Sequence, residues 1–110
     1  MKAKRARRRY LQFKVVSDQN HPEHDVADSI QRGVTKLYGI AGLSQMEPSL
    51  IEFNEEGQIG IMRCSHLGLR QMRASLAFIT SIGDSAAMIY VLKVSGTLKS
   101  LRSYKDKSNK

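Results

Sequence analysis

Tryptophan is absent, cysteine occurs once and proline twice among the 110 residues. A lone Cys64 excludes an internal disulfide and fits the reducing cytoplasm, which is the expected location. No apolar run approaches the ~20 residues a membrane-spanning helix needs, and no apolar stretch follows the first residues as in a secretory signal. Neither a membrane span nor an exported chain is expected.

Acidic residues are the minority, at 10 against 18 Lys and Arg, and the excess is not spread evenly. Residues 1–9 carry Lys2, Lys4, Arg5, Arg7, Arg8 and Arg9, a charge of +6. Residues 96–110 carry Lys99, Arg102, Lys105, Lys107 and Lys110 against Asp106, a charge of +4. Residues 10–95 sum to −2, so the ends supply the whole net charge of +8. The chain therefore divides into a basic N-terminal tail (1–9), one folding domain (10–95) and a basic C-terminal tail (96–110). Such tails are built for a polyanion, nucleic acid above all. An anionic membrane fits less well, because the tail has no apolar face to insert. Four of the six N-terminal cations are Arg, whose planar fork suits phosphate.

Apolar and polar residues alternate from Tyr10 to Val15, which places Leu11, Phe13 and Val15 on one face of a strand. Pro22 opens a helix with Glu23, Asp25 and Asp28 near its positive end. Its stripe is Val26, Ile30, Val34 and Leu37. Gly39 and Gly42 end it, and a loop is expected to run to Pro48. Leu50–Phe53 and Gln58–Cys64 form a hairpin around Asn54-Glu55-Glu56-Gly57, with Gly57 at positive φ. Ser65 is the N-cap of a second helix with Leu69, Met72, Leu76 and Ile79 buried and Gly83 at its end. Ala86–Ser95 is the last strand.

This order is the split βαβ pattern of the ferredoxin-like, or RNA-recognition-motif-like, α+β fold: a four-stranded antiparallel sheet with two helices on one face. In the last strand, Ile89 and Val91 would face the helices, and Met88, Tyr90, Leu92 and Val94 the open side. A strand apolar on both faces requires a cover, either the C-terminal tail folded back or another protein. Met88, Tyr90, Leu92 and Val94 are thus the candidate partner interface.

No catalytic set emerges. His21 and His24 flank Glu23 and Asp25 at a helix start, but the spacing matches no zinc signature, so they read as a solvated cap rather than a metal site. Cys64 and His66 lack an orienting third group and read as a buried thiol and a loop residue. Gly39-Ile40-Ala41-Gly42 lacks the Lys and Ser/Thr of a phosphate loop. Arg63, Arg70 and Arg73 sit around the start of the second helix and can serve phosphate. The strand Gln58–Cys64 has no aromatic residue, which excludes the base stacking of an RNA recognition motif on that strand.

Four stretches resemble protein component 2 of archaeal ribonuclease P, a family with a counterpart in eukaryotic ribonuclease P and ribonuclease MRP. They are Arg9-Tyr10-Leu11-Gln12-Phe13, Gly60-Ile61-Met62-Arg63-Cys64, Arg73-Ala74-Ser75-Leu76 through Ile82-Gly83, and Val94-Ser95-Gly96-Thr97-Leu98-Lys99. The first helix and the 39–48 segment match less clearly. The resemblance implies a subunit of the ribonucleoprotein endonuclease that removes the 5′ leader from precursor tRNA. It implies an RNA catalyst with magnesium at the RNA and no cofactor on this chain. The implied partners are ribonuclease P RNA, protein component 3 and precursor tRNA within the complex, assembled as a dimer of heterodimers. Joined to the charge pattern, it makes Lys4, Arg5, Arg7, Arg8, Arg9, Arg63, Arg70, Arg73 and Lys99 the RNA-binding candidates. Two other readings stand beside it: a ribosomal-type RNA-binding protein, and a small-ligand regulatory domain of the same fold, which has little use for two basic tails.

Overall fold

Alternation in Tyr10–Val15 becomes the central strand of the sheet in the computed structural model, which describes residues 7–102. This strand, β1 (Arg8–Ser17), is followed by α1 (Glu23–Met46), β2 (Ser49–Asn54), β3 (Ile59–Ser65) and a 3-10 turn at His66–Gly68. Then come α2 (Leu69–Phe78), β4 (Ser81–Ile82), β5 (Ser85–Ser95) and α3 (Leu98–Arg102). All neighbouring strands are antiparallel, in the order β2-β3-β1-β5-β4. The sheet thus has five strands rather than four. The extra one is a two-residue strand hairpinned to β5 through Gly83 and Asp84, so α2 ends at Phe78 and Gly83 serves a turn instead.

β1 pairs with β3 on one side and β5 on the other. Leu11 lies between Met62 and Val94, Phe13 between Gly60 and Val91, and Val15 beside Ile89. These residues, except Gly60, belong to the main core, with Val26, Ile30 and Val34 of α1 and Met72 and Leu76 of α2. Both long helices therefore cover this one face. Gly60 is a matter of space. A Cβ there would lie 2.7 Å from Phe13 Cζ and 2.8 Å from Phe53 Cδ1. Its absence lets the two rings stack, with centroids 6.1 Å apart and planes 18° from parallel.

Three local expectations change. The register slips between Gln12 and Phe13, so that Gln12 faces Lys93 while Phe13 faces Val91, and Leu92 is the extra residue. Such a bulge inverts the alternation beyond it. Val94 consequently packs against the core and does not face the open side as expected, while Leu92 is the extra residue of the bulge. Gly39 (φ 71) kinks α1 rather than ending it, and the helix resumes to Met46, which is 1% exposed. The expected loop is therefore helical up to Met46, with Glu47 as a left-handed cap, and Leu37, expected in the buried stripe, is exposed. In the β2–β3 turn, Gln58 rather than Gly57 takes positive φ. Its buried amide holds the turn to the start of α1: Oε1 accepts from His21 N–H (3.0 Å), and Nε2 donates to the carbonyls of His21 (3.0 Å) and Glu55 (2.7 Å).

The second sheet face has its own cover. Gln12, Ile61, Lys93 and Glu52 share a row there. α3 packs against β1 and β5, with Leu101 fully buried outside the main core, and Ile61 is only 2% exposed. Arg102 donates to Glu52 Oε1 at 2.8 Å. Of the two covers expected, the chain's own C-terminal segment supplies one over the middle of this face.

Gly60→Ala should lower the denaturant midpoint of unfolding without changing the m-value. Overpacking of this kind costs about 1–3 kcal/mol. An unchanged midpoint would show that the ring stack yields freely.

Candidate nucleic-acid and partner surfaces

Antiparallel pairing brings the start of β1, the end of β3 and the end of β5 to one end of the sheet. Arg8 lies opposite Ser65, Arg9 opposite Cys64, and Tyr10 between Arg63 and Ser95. The ladder runs on past β1, since His66 N–H donates to the Arg7 carbonyl at 2.8 Å. Arg7, Arg8, Arg9 and Arg63 therefore converge from two distant parts of the chain. Arg7 and Arg8 are exposed, and Arg9 and Arg63 are partly buried. Arg9 reaches towards the turn before α3: a Cβ added at Gly96 would lie 3.0 Å from its Nη1. Lys99 is exposed on α3 just beyond.

Arg70 and Arg73 are exposed on α2, whose buried side is Met72, Ser75 and Leu76. They lie on the helix layer, whereas Arg63 shares the opposite sheet face with Tyr10 and Gln12. The cations wrap the end of the domain instead of forming one flat patch. Arg63 Nε is buried and has no hydrogen-bond partner among the described residues. Lys4 and Arg5 lie outside the described residues.

The opposite end is acidic. Asp18 follows β1, Glu23 and Asp25 open α1, Glu55 and Glu56 sit in the β2–β3 turn, and Asp84 turns β4 into β5. Hydrogen bonds tie these segments together. Glu23 N–H donates to Glu55 Oε2 at 2.9 Å, Asn20 Nδ2 donates to the Glu55 carbonyl at 3.1 Å, and Gln19 Nε2 donates to Ser85 Oγ. The folded body is thus charged oppositely at its two ends, which its net charge of +3 over residues 7–102 conceals.

No catalytic constellation forms among the described residues. Cys64 is 1% exposed, and burial pushes its thiol up from 9.0 to about 11 despite the opposing pull of Arg9. That is the reverse of an activated nucleophile. His21 is 4% exposed, with Nε2 3.0 Å from Ser17 Oγ, and so is part of the fold and not the solvated cap expected. His24 is exposed beside Asp25. Among the described residues no group of three His, Cys, Asp or Glu side chains could hold a metal ion.

Two further surfaces stand out. Val16, Met88 and Tyr90 are about half exposed on β1 and β5, with Val16 opposite Met88 and Tyr90 opposite Lys14. This apolar patch lies beyond the part of the sheet that α3 covers. It keeps Met88 and Tyr90 from the expected interface and adds Val16. A cleft of about 550 Å³ opens at the basic end, between the last turn of α1 and the start of α2. Sequence reasoning missed it because one wall, Ser44–Glu47, was read as loop.

The fold and the site define a small α+β domain whose antiparallel sheet gathers cations at one end. The chain belongs to the Rpp14/Pop5 family, which it matches over residues 9–105. It is 34% identical over 98 residues to "Ribonuclease P protein component 2" of Pyrococcus furiosus, a match spanning 89% of this chain and 82% of that one. It is 37% identical over 95 residues to the protein of the same name in Methanosarcina mazei, spanning 86% and 80%. A chain in the cryo-EM structure of yeast ribonuclease MRP has the same fold, with a TM-score of 0.70, 16% identity, and coverage of 88% of this chain and 79% of that one.

The buried thiol carries a pH signature. Its folded pKa is raised, so its contribution to stability is complete below pH 9.0 and is lost as pH climbs through about 11. Between those values the unfolding midpoint of the protein should fall more than that of Cys64→Ala. Parallel curves would mean that the thiol is not desolvated.

Proposed function

We propose that this chain is a protein subunit of ribonuclease P that binds and stabilises the catalytic RNA removing the 5′ leader from precursor tRNA. Family membership, with relatives named ribonuclease P protein component 2, carries the reading. The basic end says how the subunit would work. Arg7, Arg8, Arg9, Arg63, Arg70, Arg73 and Lys99, continued by Lys4 and Arg5, neutralise phosphates where RNA strands crowd together. Less magnesium is then needed to hold the active RNA fold. Magnesium sits on the RNA, and the RNA performs the cleavage.

The order of the four long strands, β2-β3-β1-β5, supports the split βαβ, ferredoxin-like reading, with β4 as an addition at the edge. The exposed Val16, Met88 and Tyr90 support docking of protein component 3 at that side of the sheet, with a dimer of heterodimers as the assembly. Among the described residues no helix is long and apolar enough to cross a membrane, and a cytoplasmic complex is the setting proposed.

The decisive assay is precursor-tRNA cleavage at limiting magnesium, with ribonuclease P RNA alone, with component 3, and with component 3 plus this chain. Cleavage is expected only with both proteins. A chain that binds the RNA tightly yet adds nothing would favour the ribosomal-type reading. For the partner surface, Tyr90→Asp should abolish co-elution with component 3 while leaving the unfolding midpoint almost unchanged, because the side chain is 50% exposed. Continued co-elution would move the interface elsewhere.

A further inference from the structure

Leu67 is 88% exposed, the largest exposure among the bulky apolar side chains described, and it stands at the mouth of the cleft at the basic end. Inside, Met46 and Gly68 make an apolar floor, and His66, Gln71, Glu47 and Arg7 stand around it. At about 550 Å³ the cleft falls in the range of small-molecule sites, roughly 300–1,000 Å³.

Its walls are held in place without a ligand. Ser65 Oγ donates to the Gln45 carbonyl at 2.8 Å, joining the end of α1 to the end of β3. The same oxygen accepts from Gly68 N–H at 3.1 Å, fixing the turn that carries His66 and Leu67. The bond from His66 N–H to the Arg7 carbonyl sets Arg7 on the rim. One polar atom is left over: His66 Nδ1 is buried and has no partner among the described residues.

We infer that this cleft receives the base of a single unpaired nucleotide, an inference that rests on the RNA-binding reading above. The chemistry selects that occupant. A bare phosphate is disfavoured by the apolar floor and by the Glu47 carboxylate. A wholly apolar side chain would leave Glu47, Gln71 and His66 Nδ1 unanswered. A nucleobase satisfies both halves. Its faces rest against Leu67, Met46 and the imidazole, and its edge meets the polar groups. Its backbone phosphate lies at Arg7, with Arg8 next along the basic end. Glu47 only accepts hydrogen bonds, so it meets an N–H of the base, and adenine, with its exocyclic amine and larger stacking face, is preferred over uracil, which offers N3–H alone. The sheet lacks a stacking aromatic on β3, and this site lies off the sheet altogether.

The test uses the full chain and two RNA hairpins of matched charge, each closed by a non-nucleotide linker, one fully paired and one with a single bulged adenine. The bulged hairpin should bind more tightly by at least about fivefold, the lower end of the effect of stacking one base. Replacing the bulged adenine by uracil should reduce that preference. Leu67→Ser, at a side chain with little packing to lose, and His66→Ala should each remove it while leaving paired-hairpin affinity and the salt slope unchanged. Equal binding of the two hairpins by the unaltered chain overturns the proposal, as does a preference that survives both substitutions. Equal binding would also point to a partner's side chain as the occupant. If the unaltered chain binds neither hairpin, the RNA-binding reading fails first, and the nucleotide site with it.

Discussion

Phe13 sits on β1, which pairs with β3 on one side and β5 on the other, and its ring needs a residue without a side chain beside it. Gly60 meets that need from β3, and the space it leaves admits Phe53 from β2. Three strands are thereby locked through one contact, at a position where any Cβ would intrude on two rings. The register of β1 against β3 follows, because a slip of one residue would carry Leu11, Phe13 and Val15 to the wrong face. With that register set, the start of β1 and the end of β3 must meet, and with them Arg8, Arg9 and Arg63. The basic end is in this sense a product of core packing.

The regular parts of this arrangement were legible from residue order. Alternation in Tyr10–Val15 and helical spacing at Val26, Ile30, Val34, Met72 and Leu76 correspond to the observed core. What was not legible came from single-residue departures. Lys93 is the one hint of a bulge in Leu92-Lys93-Val94, since unbroken alternation from Ile89 and Val91 would turn its charge towards the helices. The bulge is dictated across the strand, by the need to place both Val91 and Val94 on the core. Gly39 resembles a helix end, and only contacts made by Met46, seven residues on, draw the chain back into a helix. Gln58 takes a conformation expected of glycine because its amide has three hydrogen bonds to make at a buried turn.

The binding surfaces divide in the same way. The cations were visible as a count, but their convergence was not, since Arg9 and Arg63 meet only through strand pairing. The acidic end was hidden more thoroughly. Its residues belong to three connections and the first turn of α1, scattered along the sequence, and each looks like an ordinary solvated segment. The cleft at Leu67 needed tertiary structure in full, because its two walls come from α1 and from the turn before α2.

Opposite charge at the two ends gives the body a permanent dipole along its strands. In the field of a polyanion such a body experiences a torque before it touches anything. The arginine-bearing end is drawn to lead, and an approach with Glu55 and Asp84 in front is repelled. Near neutrality then has a use that a uniformly basic protein would lack. Attraction is weak for the body as a whole and strong for one pose, so encounters that begin in the wrong orientation are short-lived. Added salt should therefore blur orientation as well as weaken affinity, because both depend on the same unscreened field.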